Sequence, residues 1–100
     1  SNELIEFIYD HESNSGAVQT ELKSILNVYD SWSSIGAKRG VDVSVKLRKP
    51  WYDILEMSRG AESIAVKMTY NGKGFFSKAQ LLTEEESPFT EEIVSILKGG

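Results

Sequence analysis

The sequence predicts an α+β domain, a two-layer sandwich in which helices cover one face of a small antiparallel or mixed sheet of about three or four strands. Three observations carry this. Val41, Val43, Val45 and Leu47 alternate with Asp42, Ser44, Lys46 and Arg48, the period of a half-buried strand. Asn71-Gly72 separates two further alternating runs, the strongest short-range hairpin signal because both residues tolerate positive φ. Apolar residues recur at helical spacing near both ends of the chain. Strands with one polar face leave one side of the sheet for the helices.

Taken in order, Leu4 to Tyr9 is a short apolar run. Its length alone does not separate strand from helix, and its Ile, Phe and Tyr content favours a strand at about 4–9. His11 to Gly16 reads as a loop. Val18, Leu22, Ile25, Leu26 and Tyr29 form one apolar stripe, which predicts a helix over about 16–34. Ser15 is its N-cap and Gly36 or Gly40 its stop, and Trp32 or Ile35 would extend it. The strand at about 41–48 ends at Pro50, which has no N–H for a ladder.

Residues 51–59 fit two templates. Trp51, Ile54, Leu55 and Ser58 suit a short helix with Pro50 at its first position and Gly60 beyond its end. Alternation there is poor, so helix is preferred over strand. Ile64, Val66, Met68 and Tyr70 alternate with polar or small residues, predicting strands over about 63–70 and 75–82 joined as a hairpin. Ser87-Pro88 opens a helix over about 88–98, whose stripe is Phe89, Ile93, Ile96 and Leu97. Glutamates at its start and Lys98 at its end suit the helix dipole.

The chain has 100 residues and no cysteine, a single-domain length spanning 3–100 once Ser1-Asn2 is set aside as a cleavage scar. The absence of an initiator Met reads as a domain cut from a longer protein, such as a module of a larger bacterial one. No cysteine excludes disulfides and thiolate metal sites and fits a reducing, cytoplasmic setting. No apolar run is long enough to predict a membrane span. The net charge of −4 conceals a pattern. Residues 1–37 carry six acids against Lys23, residues 38–78 nine cations against four acids, and residues 79–100 five glutamates against Lys98.

Chemistry-bearing motifs are sparse. His11 lies between Asp10 and Glu12, but no nucleophile is specified near it. The glutamates at 84–86 and 91–92 lack the spacing of a calcium loop. Gly72-Lys73-Gly74 lies between strands, where a phosphate loop would precede a helix. No cofactor and no metal is therefore expected. The candidate interaction surface is instead an open sheet face with Lys46, Arg48 and Lys67, and with Phe76 and Lys78 where strand 75–82 turns that set outward and not its complement, together with Trp51 and Tyr52 as exposed-aromatic candidates.

Ile54-Leu55-Glu56-Met57 followed by Gly60-Ala61-Glu62-Ser63-Ile64 resembles the histidine phosphocarrier family of the sugar phosphotransferase system, whose element order is also similar. That family's histidine opens the first helix within G-x-H-A-R-P, whereas Ser15-Gly16-Ala17 stands here, and an extra hairpin strand follows Tyr70. The resemblance therefore implies no phosphotransfer.

Together these readings predict a non-catalytic binding or regulatory domain that works through protein–protein contacts with an unidentified partner. The alternative is a ligand- or nucleic-acid-binding domain using the basic open face, although a pI near 5.0 argues against nucleic acid. A hairpin edge strand would allow either a monomer or an edge-strand dimer.

Overall fold

A computed structural model of the chain describes residues 5–8, 25–70 and 74–99. The elements are β1 (Ile5–Ile8), α1 (Ile25–Lys38), β2 (Asp42–Arg48), β3 (Tyr52–Arg59), β4 (Glu62–Tyr70), β5 (Phe76–Leu81) and α2 (Pro88–Leu97). The strands form one five-stranded sheet in the order β1-β5-β4-β3-β2. Every neighbouring pair is antiparallel. The two-layer α+β reading stands, with one strand more than expected.

That extra strand is β3, where the sequence favoured a helix over 51–59. The helical template matched because Ile54 and Leu55 are adjacent apolar residues and Asp53 occupies an inward position, which together spoil the period-two pattern. In the sheet, Leu55 and Met57 turn to the core while Ile54 stays half-exposed on the other face. Gly60, read as a helix stop, is instead the first residue of the two-residue Gly60-Ala61 loop between the paired Arg59 and Glu62. Its φ of +62° suits a type II′ hairpin turn, which takes glycine first. The Ile54–Met57 stretch that resembles a phosphocarrier helix is thus the middle of a strand, and the resemblance does not extend to the fold.

Strands β4 and β5 form the expected hairpin, with Val66 opposite Leu81 and Met68 opposite Ala79. Its predicted Asn71-Gly72 turn lies outside the described residues, as do His11 and the segment 16–24 with its Ser15 cap. Helix α1 runs past the predicted end at 34 to Lys38, because Trp32 and Ile35 prolong its apolar stripe. It stops at Gly40, whose φ is +75°. Gly36 has a different task. A Cβ there would lie 2.8 Å from the carbonyl oxygen of Val41 and 3.3 Å from Val43 Cγ2, so the helix backbone rests directly on the start of β2.

The core lies between the helices and one face of the sheet. Val28 and Trp32 of α1 and Phe89, Ile93, Ile96 and Leu97 of α2 meet Leu55, Met57, Val66, Met68, Phe76, Ala79 and Leu81. Trp32 Nε1 donates to the Leu97 carbonyl at 3.2 Å, joining the two helices inside the core. Arg59 fastens α2 to the sheet. Its Nη2 lies 2.7 Å from Glu92 Oε1, and its guanidinium sits 5.4 Å from the centre of the Phe89 ring. Helix α2 begins as predicted: the Ser87 side chain accepts from Thr90 N at 3.2 Å, and proline follows at the first turn.

Candidate functional site

Paired residues in an antiparallel ladder share a face, so register alone places most side chains. Asp53, Leu55 and Met57 of β3 and Ile64, Val66 and Met68 of β4 face the helices. Tyr52, Ile54, Glu56, Ala65, Lys67 and Thr69 therefore line the opposite face, on which neither α1 nor α2 lies. Two bulges modify this face. Ladder pairing of β2 steps from Val45 opposite Leu55 to Leu47 opposite Ile54, leaving Lys46 as the extra residue. Pairing of β5 steps from Lys78 opposite Thr69 to Phe76 opposite Tyr70, leaving Ser77 as the extra residue.

Each bulge inverts the face of the residues beyond it. Strict alternation would bury Leu47 with Val43 and Val45. The bulge turns it onto the open face beside Ile54, where it is 44% exposed. The next residue, Arg48, consequently leaves the open face and pairs with buried Asp53, with Nη1 3.9 Å from Oδ2. Phe76 belongs to the candidate set through one of two possible outward registers of its strand, the one it would share with Lys78. The Ser77 bulge places it in the core, edge-on to Trp32 with ring centres 5.6 Å apart. Arg48 and Phe76 are thus corrections to the sequence-derived set.

Lys46, Tyr52, Lys67 and Lys78 do share the side on which neither α1 nor α2 lies. The Lys67 ammonium lies 4.5 Å from the centre of the Tyr52 ring, a cation over an aromatic face. Lys46 reaches Glu56 Oε1 at 3.5 Å, and Ser63 Oγ donates to Glu56 Oε2 at 2.9 Å. Lys78 stands opposite Thr69 in register. Trp51 sits in the β2–β3 turn and is 60% exposed, and its carbonyl accepts from Tyr70 N in the rung after Tyr52–Thr69, so the ladder groups it with Tyr70 on the helix side and not with Tyr52. Sequence reasoning missed Leu47 and Ile54 as members of the surface. Adjacent apolar residues at 54–55 were the available signal for the second, and no local signal marks a bulge.

The surface joins apolar Leu47 and Ile54 to Lys46, Lys67 and Lys78, with Glu56 beside Lys46, and has no nucleophile–base pair among the described residues. No three His, Asp or Glu side chains among the described residues come together as a metal set. A shallow groove of about 220 Å³ lies elsewhere, lined by Glu86, Thr90, Glu91 and Val94, on the helix side. It is below the usual size for a small-molecule site. The Thr90 hydroxyl in it already donates to the Glu85 carbonyl at 3.0 Å. The outer strand β2 is blunted as a pairing edge, since Lys46 bulges from it and the Tyr29 hydroxyl donates to the Val43 carbonyl at 3.3 Å. Among the described residues no helix is long and apolar enough to cross a membrane.

Comparison with known families matches residues 23–97 to the TATA-binding-like protein domain of the TOTE conflict systems. Neither the curated proteins nor the solved structures hold a match to the chain.

Proposed function

Because the chain belongs to the TATA-binding-like protein domain family of the TOTE conflict systems, we propose that it is a non-catalytic, defence-associated binding domain whose sheet face opposite α1 and α2 contacts duplex DNA. One observation carries the reading: α1 and α2 fill one side of the sheet, while on the other, among the described residues, Tyr52, Lys67, Leu47 and Ile54 stand side by side. Sheet faces that contact DNA lie along a groove, with cations on the phosphates and apolar side chains against or between base steps. Lys46, Lys67 and Lys78 suit the first role, and Leu47 and Ile54 the second. The net charge of −4 is no obstacle, because the glutamates at 84–86 and 91 lie in the β5–α2 connection and on α2, on the helix side.

The test is fluorescence anisotropy of labelled A·T-rich and G·C-rich duplexes across a salt series, with the wild type and with Lys67→Gln and Leu47→Asp. Affinity should fall with salt, losing about one unit of log–log slope per lysine–phosphate contact removed. Leu47→Asp should weaken binding at every salt concentration. No DNA affinity at low salt, or affinity indifferent to both substitutions, would overturn the reading. The exposed Leu47 favours a second one, contact with an apolar protein surface through the same face. It predicts salt-resistant binding to a protein partner that Leu47→Asp abolishes.

A further inference from the structure

We infer that Glu56 is a specificity-determining residue that favours duplexes carrying a guanine amino group in the minor groove. The inference rests on the reading of the face opposite α1 and α2 as a DNA-binding surface, and deepens it. The width of the sheet selects the groove. Five strands at the usual spacing are about 19 Å across, whereas the major groove is about 12 Å wide, so the face cannot enter it broadside. It can lie along a minor groove that it opens, with an exposed apolar side chain such as Leu47 set against a base step.

Glu56 stands within that face. Its register partners are Ser44 on β2 and Ala65 on β4, so the side chains beside it across the strands are small, and its own is 40% exposed. The carboxylate is held from two sides. Lys46 Nζ lies 3.5 Å from Oε1, and Ser63 Oγ donates to Oε2 at 2.9 Å. An ionised carboxylate only accepts, with about four lone-pair positions, so two donors leave acceptor capacity on it. The minor groove of A·T pairs offers only acceptors, N3 and O2, whereas a G·C pair adds the guanine N2 amino donor. Against A·T pairs the Glu56 carboxylate loses water and meets further acceptors; against a G·C pair it gains a donor. The discrimination is thus a repulsion from one sequence as much as an attraction to the other. Gln80, which stands opposite Lys67 on the same face, both donates and accepts and so matches either groove.

The experiment measures fluorescence anisotropy of the full chain, wild type and Glu56→Gln, on three labelled duplexes: one A·T-rich, one of the same length with G·C pairs at its centre, and the second with inosine in place of guanine. Inosine lacks the N2 amino group and keeps the major-groove edge of guanine, so only the minor groove changes. It also softens the duplex, but for both proteins alike, so the change in preference between them isolates Glu56. Glu56 lies outside the apolar core, and glutamine keeps its size while adding an amide donor for N3 or O2. The preference for guanine over inosine should fall about tenfold in Glu56→Gln, the scale of one charge-assisted hydrogen bond. The slope of affinity against salt should stay as in wild type, because no phosphate contact is altered. A preference that survives the substitution overturns the inference. So does a Glu56→Gln protein that binds all three duplexes more tightly by the same factor with a steeper salt slope, since Glu56 would then only withhold Lys46 from phosphate. Wild-type affinity without discrimination retires the role of Glu56 alone, whereas no affinity for any duplex retires the DNA reading and the inference with it.

Discussion

Replacing Gly36 by alanine would ordinarily stabilise a helix, by about 1 kcal/mol, because alanine loses less backbone freedom on folding. Here the opposite is expected. The added Cβ would stand 2.8 Å from the Val41 carbonyl oxygen, and ordinary contact begins at 3.4 Å, so the helix must retreat from β2 by about 0.6 Å. The obstructing atom is backbone, with no flexible end to swing aside. Overpacking of this kind costs about 1–3 kcal/mol. The retreat also stretches the bond from Val41 N to the Gly36 carbonyl, now 2.8 Å, which contributes about 1 kcal/mol. Set against the propensity gain, the net is a loss of about 1–3 kcal/mol, or about 4–8 °C in Tm per kcal/mol for a domain of this size. Urea unfolding followed by far-UV circular dichroism should show a lower midpoint with an unchanged slope. Ala37→Gly at the neighbouring exposed position is the control, losing only the propensity term of about 1 kcal/mol. A Gly36→Ala protein as stable as wild type or more so would refute the argument that α1 lies directly on β2, and with it the assignment of the opposite face as the one α1 leaves clear.

Other outcomes follow from the same packing. Phe76→Ala should cost about 3–5 kcal/mol as a buried aromatic, measured by urea unfolding, whereas Tyr52→Ala on the open face should leave stability within about 1 kcal/mol while reducing DNA affinity. Ser87→Ala removes the acceptor for Thr90 N and should cost about 1 kcal/mol, seen as a lower thermal midpoint. The Tyr70 hydroxyl is held above the ordinary tyrosine value of 10.0, by burial first and then by the hydrogen bond and negative charge of Asp53. A folded value above the unfolded one gives stability that is complete below about pH 10 and lost as the pH rises through the folded value. Urea midpoints measured across that alkaline range should therefore fall more steeply for wild type than for Tyr70→Phe.

Much of the layer arrangement was legible from residue spacing. The alternation at 64–70 marks β4, the run at 41–48 marks β2, and Phe89, Ile93, Ile96 and Leu97 mark the buried side of α2. These patterns are readable because a half-buried element repeats its environment with its own backbone period. Strand β3 was not legible for the converse reason. It places a carboxylate, Asp53, among the inward positions and an apolar residue, Ile54, among the outward ones, so its composition no longer reports its faces. Asp53 is tolerated there because Tyr70 and Arg48 reach it from β4 and β2, and that arrangement of three strands cannot be seen from any one of them.

The candidate surface divides the same way. That Lys67 and Lys78 belong to strands with one polar face follows from their neighbours in the chain. That Leu47 joins them, while Arg48 and Phe76 do not, follows from single extra residues at Lys46 and Ser77. A bulge costs no local signature, since any residue with ordinary backbone angles can occupy it, and its position is chosen by how the whole sheet must bend and pair. Sequence by itself determined which segments are amphipathic, and hence that helices and strands form two layers. Only the tertiary structure decided which side chains emerge on the face opposite α1 and α2, because side-chain direction along a strand depends on the register with its neighbours, and one inserted residue reverses everything beyond it.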